Sequence, residues 1–346
     1  MTQPTHPFQA DPVLLRRHVT ALAGEPRSRR HAPQAMERAE EYVTDHLTEA
    51  GWDVHRDPFD VRWRWGSADG PGHRAMPLKI RLHRRVTGAN LRAEPPGPRG
   101  RGEGPGPRST VVVGAHLDTV LDSPGADDNA SGVAVVLETA RVLARLPQPP
   151  DVTLMLFDME ETGLIGSREA VRQLVGTRRV AGMICLESVG YFSSALGSQR
   201  LPPGAGLAFP AAAEAVAEGH HRGDFTLVVH RTSSRPAAEA WARAAAEASP
   251  SLPSVLLRDP RPDGRLGAAA GLAVPVLNNL SRSDHAPFWN HRIPALMLTG
   301  TANFRNTHYH RPTDTPDTLD YDRLAAVATA TAATVAAWPG EAPPGA

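Results

Sequence analysis

The sequence predicts an α/β fold, with a mixed, mostly parallel central sheet covered by helices on both faces. Two features of the 346-residue chain carry this expectation. From Thr110 onward, apolar strand-like runs alternate with helical segments, the order that parallel strands joined by crossover helices require. The runs at 111–114, 152–157 and 180–186 are almost continuously apolar, as strands buried on both faces are.

Each element follows from local pattern. Leu14, Leu15, His18, Val19 and Leu22 share one helical face, and Gly24 is placed to end that helix. A second helix follows Pro33, turns Met36, Ala39, Tyr42, Val43 and Leu47 inward, and stops at Gly51. Alternating Val54, Phe59, Val61 and Trp63 make 52–63 a strand pair, and 79–94 is further strand. Residues 94–108, rich in Pro, Gly and Arg, are expected to form a mobile surface loop. Helices are expected at 132–146, after Gly166, at 211–217 and 237–248, and at 322–338. Short strands fall at 227–229, 255–257 and 295–298. The expected organisation is one domain over 12–338, between a flexible segment 1–11 and a disordered tail 339–346.

Composition removes several function classes. Lys plus Arg and Asp plus Glu balance at 37 each, which gives no basic excess for a general nucleic-acid binder. Cys185 is the only cysteine, so neither an intrachain disulfide nor a Cys-rich zinc site is available. No stretch reaches the roughly 18 uninterrupted apolar residues of a membrane span, and the first dozen residues lack an apolar signal core. The expectation is a soluble, cytoplasmic protein without a membrane partner, although a trimmed export signal would leave the same sequence.

The chemistry-bearing residues sit where the fold predicts a site. In open α/β sheets, ligands bind beyond the carboxyl ends of the strands. Three expected strands run into His116-Leu117-Asp118, into Asp158-Met159-Glu160-Glu161, and into Glu187. Singly, each reads equally well as a surface loop, a solvated acid pair or a strand-end charge. Jointly, they converge on one sheet edge. The turn at Ser123-Pro124-Gly125 adds Asp127 and Asp128 just before a helix. Those acids suit a helix cap, yet adjacent carboxylates beside His116 repel one another unless a cation neutralises them. Zinc accepts both imidazole and carboxylate. The last third contributes Ser283-Asp284-His285 and His308-Tyr309-His310, clusters that ordinary loops also contain.

Five ordered stretches bear a resemblance to a known family: Val-Gly-Ala-His-Leu-Asp-Thr-Val from Val113, Pro-Gly-Ala-Asp-Asp-Asn-Ala-Ser-Gly from Pro124, Glu-Glu-Thr-Gly-Leu-Ile-Gly-Ser from Glu160, Ser-Asp-His-Ala-Pro-Phe from Ser283, and Tyr-His-Arg-Pro-Thr-Asp-Thr from Tyr309. From Pro12 to Trp338 the chain resembles the M28 family of zinc metallopeptidases, the group of the Aeromonas and Streptomyces aminopeptidases. The resemblance implies a zinc-peptidase (phosphorylase-like) fold and two zinc ions. Its ligands would be His116 and Glu187 on one ion, Glu161 and His310 on the other, and Asp128 between them. Many relatives carry Asp where Glu187 stands. Glu160 would be the general base, Asp118 the carboxylate that accepts a hydrogen bond from His116, and Tyr309 a donor to the oxyanion. Asp284 and His285 would support the site from outside the ligand shell. His308 rivals His310, but His310 keeps the family's four-residue step to Asp314-Thr315. The implied activity is removal of N-terminal residues from peptides. A glutaminyl cyclase, usually with one zinc, and a non-catalytic binding protein on the same fold are the alternatives. Residues 197–202 and the loop around Arg305 are candidates to line the specificity pocket.

Overall fold

The computed structural model describes residues 8–67, 80–96, 109–273 and 275–339. Most of the expected 94–108 loop, the first seven residues and the end of the tail lie outside these. Eight strands form one sheet: β1 (Asp53–Ser67), β2 (Ile80–Glu94), β3 (Ser109–His116), β4 (Val152–Phe157), β5 (Arg179–Glu187), β6 (Thr226–His230), β7 (Ser254–Arg258) and β8 (Ala295–Thr299). Their order is β1-β2-β4-β3-β5-β8-β6-β7. The centre, β4-β3-β5-β8, is parallel, as is the pair β6/β7, whereas β1/β2, β2/β4 and β8/β6 are antiparallel. The sheet is therefore mixed and parallel where it matters, and the carboxyl ends of β3, β4, β5 and β8 open on one edge.

Side chains alternate across this sheet with the strand period of two. Val111, Val113, Ala115, Leu154, Leu156, Ile184 and Leu186 face one layer, with the helices Pro12–Leu22, Pro33–Glu49, Gly132–Leu143, Arg235–Glu247 and Tyr321–Ala336. Val112, Met155, Phe157, Met183 and Cys185 face the other, with Ile165–Thr177 and His285–Asn290. Both faces being covered is why the central strands are apolar throughout. The segment before the first helix is docked where it is described: Ala10 is buried and its N–H donates to Thr329 Oγ1 at 3.1 Å. Among the described residues, no helix is long and apolar enough to cross a membrane.

The expected strand pair inside 52–63 is instead one long strand. β1 pairs with β2 from Asp53↔Glu94 to Ser67↔Ile80, and β2 bonds to β4 only at Leu91–Ala93. The far half of the hairpin thus projects as an arm, with only the small cluster Phe59, Val61, Val86 and Ile165 at its base. Trp63, on this projecting half, is 62% exposed. The arm presses on the loop after Glu161, where a Cβ on Gly66 would lie 2.0 Å from the Thr162 carbonyl oxygen. Among the helices not legible are Arg265–Ala273, which is rich in Gly and Ala without an apolar stripe, His285–Asn290, which is six residues long and contains a proline, and the single turns Ala205–Ala208 and Pro275–Asn278.

Candidate metal centre

The site is assembled at the carboxyl edge of the parallel strands. His116 and Glu187 are the last residues of β3 and β5, and Glu160 and Glu161 follow β4 after three residues at most. Asp128 comes from the turn between β3 and the helix Gly132–Leu143, and His310 from the long loop after β8. His116 Nε2 lies 3.1 Å from Asp128 Oδ1 and 3.5 Å from Glu187 Oε2. His310 Nε2 lies 3.0 Å from Asp128 Oδ2 and 3.2 Å from Glu161 Oε1. Two ligand groups result, His116–Asp128–Glu187 and Asp128–Glu161–His310, each with its atoms within 4.8 Å of one another and with Asp128 common to both.

The donor set fits divalent cations. His116 Nε2, His310 Nε2 and Asp128 Oδ1 are shut off from solvent and have no hydrogen-bond partner. Buried polar atoms are rarely left so unless something else binds them. The electrostatics point the same way. Burial disfavours the imidazolium of His116, but the Asp118 and Asp128 carboxylates overcome this and raise its pKa well above the usual value. Burial likewise opposes charge on His310, and Glu161 and Asp128 lift it to about 10. Without a metal the cluster recruits protons as its positive charge. Oxygen and imidazole donors in this number suit zinc.

A second layer of carboxylates and amides fixes the ligands. Asp118 is expected to accept from His116, and the structure gives it a further task. His116 Nδ1 bonds the backbone carbonyl of Asp118 at 3.0 Å, with the Asp118 carboxylate 3.6 Å away. That carboxylate accepts the N–H groups of Glu160 at 3.0 Å and Glu161 at 3.1 Å. It therefore sets the backbone of Glu160 and Glu161 together. Asp314 does the same for Asp127 and Asp128, accepting their N–H groups at 2.9 and 3.2 Å. Asp127 does not reach the metal groups; it accepts from Gly190 N, Tyr191 N and Asn306 Nδ2. Ser283 Oγ donates to Glu187 Oε2 at 2.7 Å, which orients the glutamate. Buried Arg27 donates to the carbonyls of Leu117, Pro124 and Gly125, tying the His116 loop to the Asp128 turn. Arg27 was not singled out from the sequence, because one Arg in an Arg-rich segment carries no signal. Asn129, whose side chain bonds Leu186 O and Ser188 N, was also missed.

Burial dominates the titration of the acids. It raises Glu160 well above the usual range, helped by Glu187, Glu161 and Asp284 and opposed by His116. It lifts Asp127 to about 6, against its hydrogen bonds from Asn306 and Gly190, and Asp284 to about 7, against His116. Asp314 rises to about 8, by burial and then by Asp127. Three site loops also hold non-glycine residues in the left-handed region: Met159 (φ 57°), Ser188 (φ 49°) and His310 itself (φ 56°). Such positions cost of order 1–3 kcal/mol each and persist where surroundings over-determine them. Gly125, at φ 64°, belongs to the same set, since a Cβ there would meet Asp128 O at 2.4 Å.

The remaining candidates divide. Tyr309 stacks on His310, with ring centroids 3.8 Å apart, and its hydroxyl lies 3.5 Å from Arg282 Nη2. His308 bonds Thr313 Oγ1 at 3.0 Å and belongs to neither ligand group. Asp284 is fully buried, within electrostatic reach of His116 and Glu187, whereas His285 packs edge-on against Trp289 in the second core. A 1950 Å³ cavity opens over the metal centre. Gln199, Arg200, Leu201 and Pro202 line it, as expected of that segment, and its far end is apolar, with Phe209, Phe225, Leu227 and Val255. The loop around Arg305 lines it too, through Asn303, Phe304, Asn306 and Thr307, while Arg305 itself turns away, its guanidinium buried against Phe225 and Phe192 with Nε on Gln199.

Comparison with known proteins meets this geometry at its ligands. A family model described as Peptidase family M28 matches residues 100–228 and 267–335, more than half of the chain and a span that holds every ligand above. The chain belongs to peptidase family M28. It is 36% identical over 229 residues to the uncharacterized protein YfbL of Escherichia coli K12, a match covering 63% of this M28 chain and 63% of YfbL. The zinc aminopeptidase BSAP of Bacillus subtilis superposes with a TM-score of 0.64 at 18% identity, covering 95% of each chain. A glutaminyl cyclase of Fimbriiglobus ruber superposes with a TM-score of 0.59 at 19% identity, covering 96% of this chain and 97% of its own. At such identities these two share the fold with the M28 chain, and the fold carries both chemistries.

Proposed function

We propose that this M28 chain is an exopeptidase with two zinc ions, one in each ligand group, that removes N-terminal residues from peptides. The observation that carries the reading is the pair of complete ligand groups sharing Asp128, with an additional buried carboxyl, Glu160, beside them and not part of either. Bound ions would polarise the scissile carbonyl and make water between the groups easier to deprotonate. The protein's own part is then proton handling and positioning. Glu160, whose backbone Asp118 fixes, takes a proton from the attacking water and returns it to the leaving amine. Burial raises the pKa of Glu160 above that of an exposed carboxyl, the direction that strengthens it as a proton acceptor. Tyr309, steadied by stacking on His310, is placed to donate to the developing oxyanion. The apolar end of the cavity would receive the side chain of the first residue.

Replacing Glu160 with Gln tests this. Hydrolysis of aminoacyl anilides should fall by about 10²–10⁴, while zinc content measured on the same preparation stays near that of the wild type. Undiminished turnover would remove Glu160 from the mechanism. The cyclase reading is supported by the Fimbriiglobus likeness alone. Cyclisation of N-terminal Gln with no amino acid released, at one zinc per chain, would replace the hydrolase reading with it.

A further inference from the structure

Charges around the cavity are sorted by depth. Six acids reach it, and all of them, Asp118, Asp128, Asp158, Glu160, Glu161 and Glu187, belong to the metal centre or to the loops that carry it. The outer wall is cationic. Arg81 and Arg84 come from the projecting arm, Arg168 from the start of the helix Ile165–Thr177, and Arg282 and Arg311 from the loops flanking Tyr309. All five are exposed, and none has a carboxylate partner among the described residues. The chain as a whole is neutral, so this is local segregation and not a general basic excess. Arg282, beside Tyr309, already feels Glu187, Glu160 and Glu161, so the free positive charge of the wall lies in Arg81, Arg84, Arg168 and Arg311, and such unpaired surface charges do little for the stability of the fold. With divalent cations bound, the inner acids would be offset and the wall would set the potential at the entrance.

We propose that this wall binds anionic groups on the leaving side of the substrate, so that the preferred substrates are peptides carrying carboxylates beyond the scissile bond. The inference rests on the hydrolase reading and adds a substrate class to it. Guanidinium groups recognise carboxylates through paired N–H donors, and a field of one sign speeds capture of the opposite charge. The carboxylate can belong to Asp or Glu side chains or to the C-terminus of a short peptide.

The test compares matched peptides on the metal-loaded protein. Leu-Ala-Asp-Glu amide is set against Leu-Ala-Asn-Gln amide, and the latter against its own free acid. The acidic member should show about tenfold higher kcat/KM at 20 mM salt, falling toward parity at 200 mM, as steering does. The free-acid arm reports whether the C-terminal carboxylate suffices. Arg81→Gln, Arg84→Gln and Arg168→Gln together should bring the ratio to within about twofold, and the corresponding Lys triple should restore most of it. An independent readout is fluorescence anisotropy of a labelled, N-acetylated acidic peptide, which an aminopeptidase cannot cut; it should bind the wild type at least about tenfold tighter than the Gln triple. Hydrolysis of all peptides at equal, salt-independent rates would overturn the proposal while leaving the peptidase reading intact. Charge-dependent anisotropy without hydrolysis of any peptide would keep the cationic, anion-binding wall and remove the peptidase.

Discussion

The inner and outer parts of the same cavity treat charge in opposite ways. Inside, the carboxylates around the ligand groups are held by directed hydrogen bonds: Asp118 by two backbone N–H groups, Asp314 by two, Asp127 by Gly190, Tyr191 and Asn306, and Glu187 by Ser283. Outside, Arg81 and Arg84 of the arm have no carboxylate partner among the described residues, although Arg85 beside them pairs with Asp60 on the neighbouring strand. A buried charge is tolerated only when dipoles, protons or cations fix it, and being fixed gives it a geometry. An exposed charge is solvated at little cost and supplies a field without a geometry. The inner part can therefore do chemistry that demands sub-ångström placement, and the outer part can only bias what arrives.

The contrast can be broken or sharpened by experiment, with metal removal the harshest test. Chelation should reduce peptide hydrolysis to background. It should also lower the thermal midpoint by several degrees, because a ligand at a hundred times its Kd contributes about 2.7 kcal/mol and the chain is large. Calorimetry with and without chelator, beside an activity assay, measures both. Chelator-insensitive activity would mean that the buried cluster satisfies itself without cations.

Next in size is a buried charge remote from the cavity. His18 packs against Tyr42 and His46, and burial, with the nearby positive charge of His46, lowers its pKa to about 4. A folded pKa below the unfolded one means the stabilisation is complete above pH 6.5 and is lost as pH falls toward 4. Urea midpoints at pH 7.5 and 4.5 should show the wild type losing about 3 kcal/mol more than His18→Gln does over that window. An equal loss in both would show that burial alone does not set the rule.

Smaller again is the effect of loosening one inner fastening. Asp314→Asn keeps one acceptor for the N–H groups of Asp127 and Asp128 and should weaken zinc binding about 10- to 100-fold, read by competition with a chromogenic chelator. Smallest is the outer wall. Arg84→Gln should shift stability by no more than about 0.5 kcal/mol in denaturant melts; a larger loss would place that arginine among the fixed charges.

How much of this was legible depended on range. The central strands could be read because burial on both faces writes continuous apolar runs, and Val152–Phe157 came out with its observed bounds. The five ligands were legible because they follow those strands or stand in dense polar motifs. The fastening of Glu160 and Glu161 by Asp118 was not legible, since which N–H groups its carboxylate meets depends on how the loops after β3 and β4 come together. Nor was the exposure of Trp63, because alternation marks a strand without saying whether anything covers it.

The sequence by itself determined the class of fold, the edge on which the site lies, and the residue types that would hold a cation, because these depend on periodicity and on chemistry carried within short segments. Only the tertiary structure decided that Arg27 and Asp314 clamp the turn that holds Asp128, and that the arm from β1 and β2 brings its arginines to the cavity mouth. Those contacts join residues from about ninety to nearly two hundred positions apart. No local pattern encodes them, since they arise only when the packed sheet brings its loops to one edge.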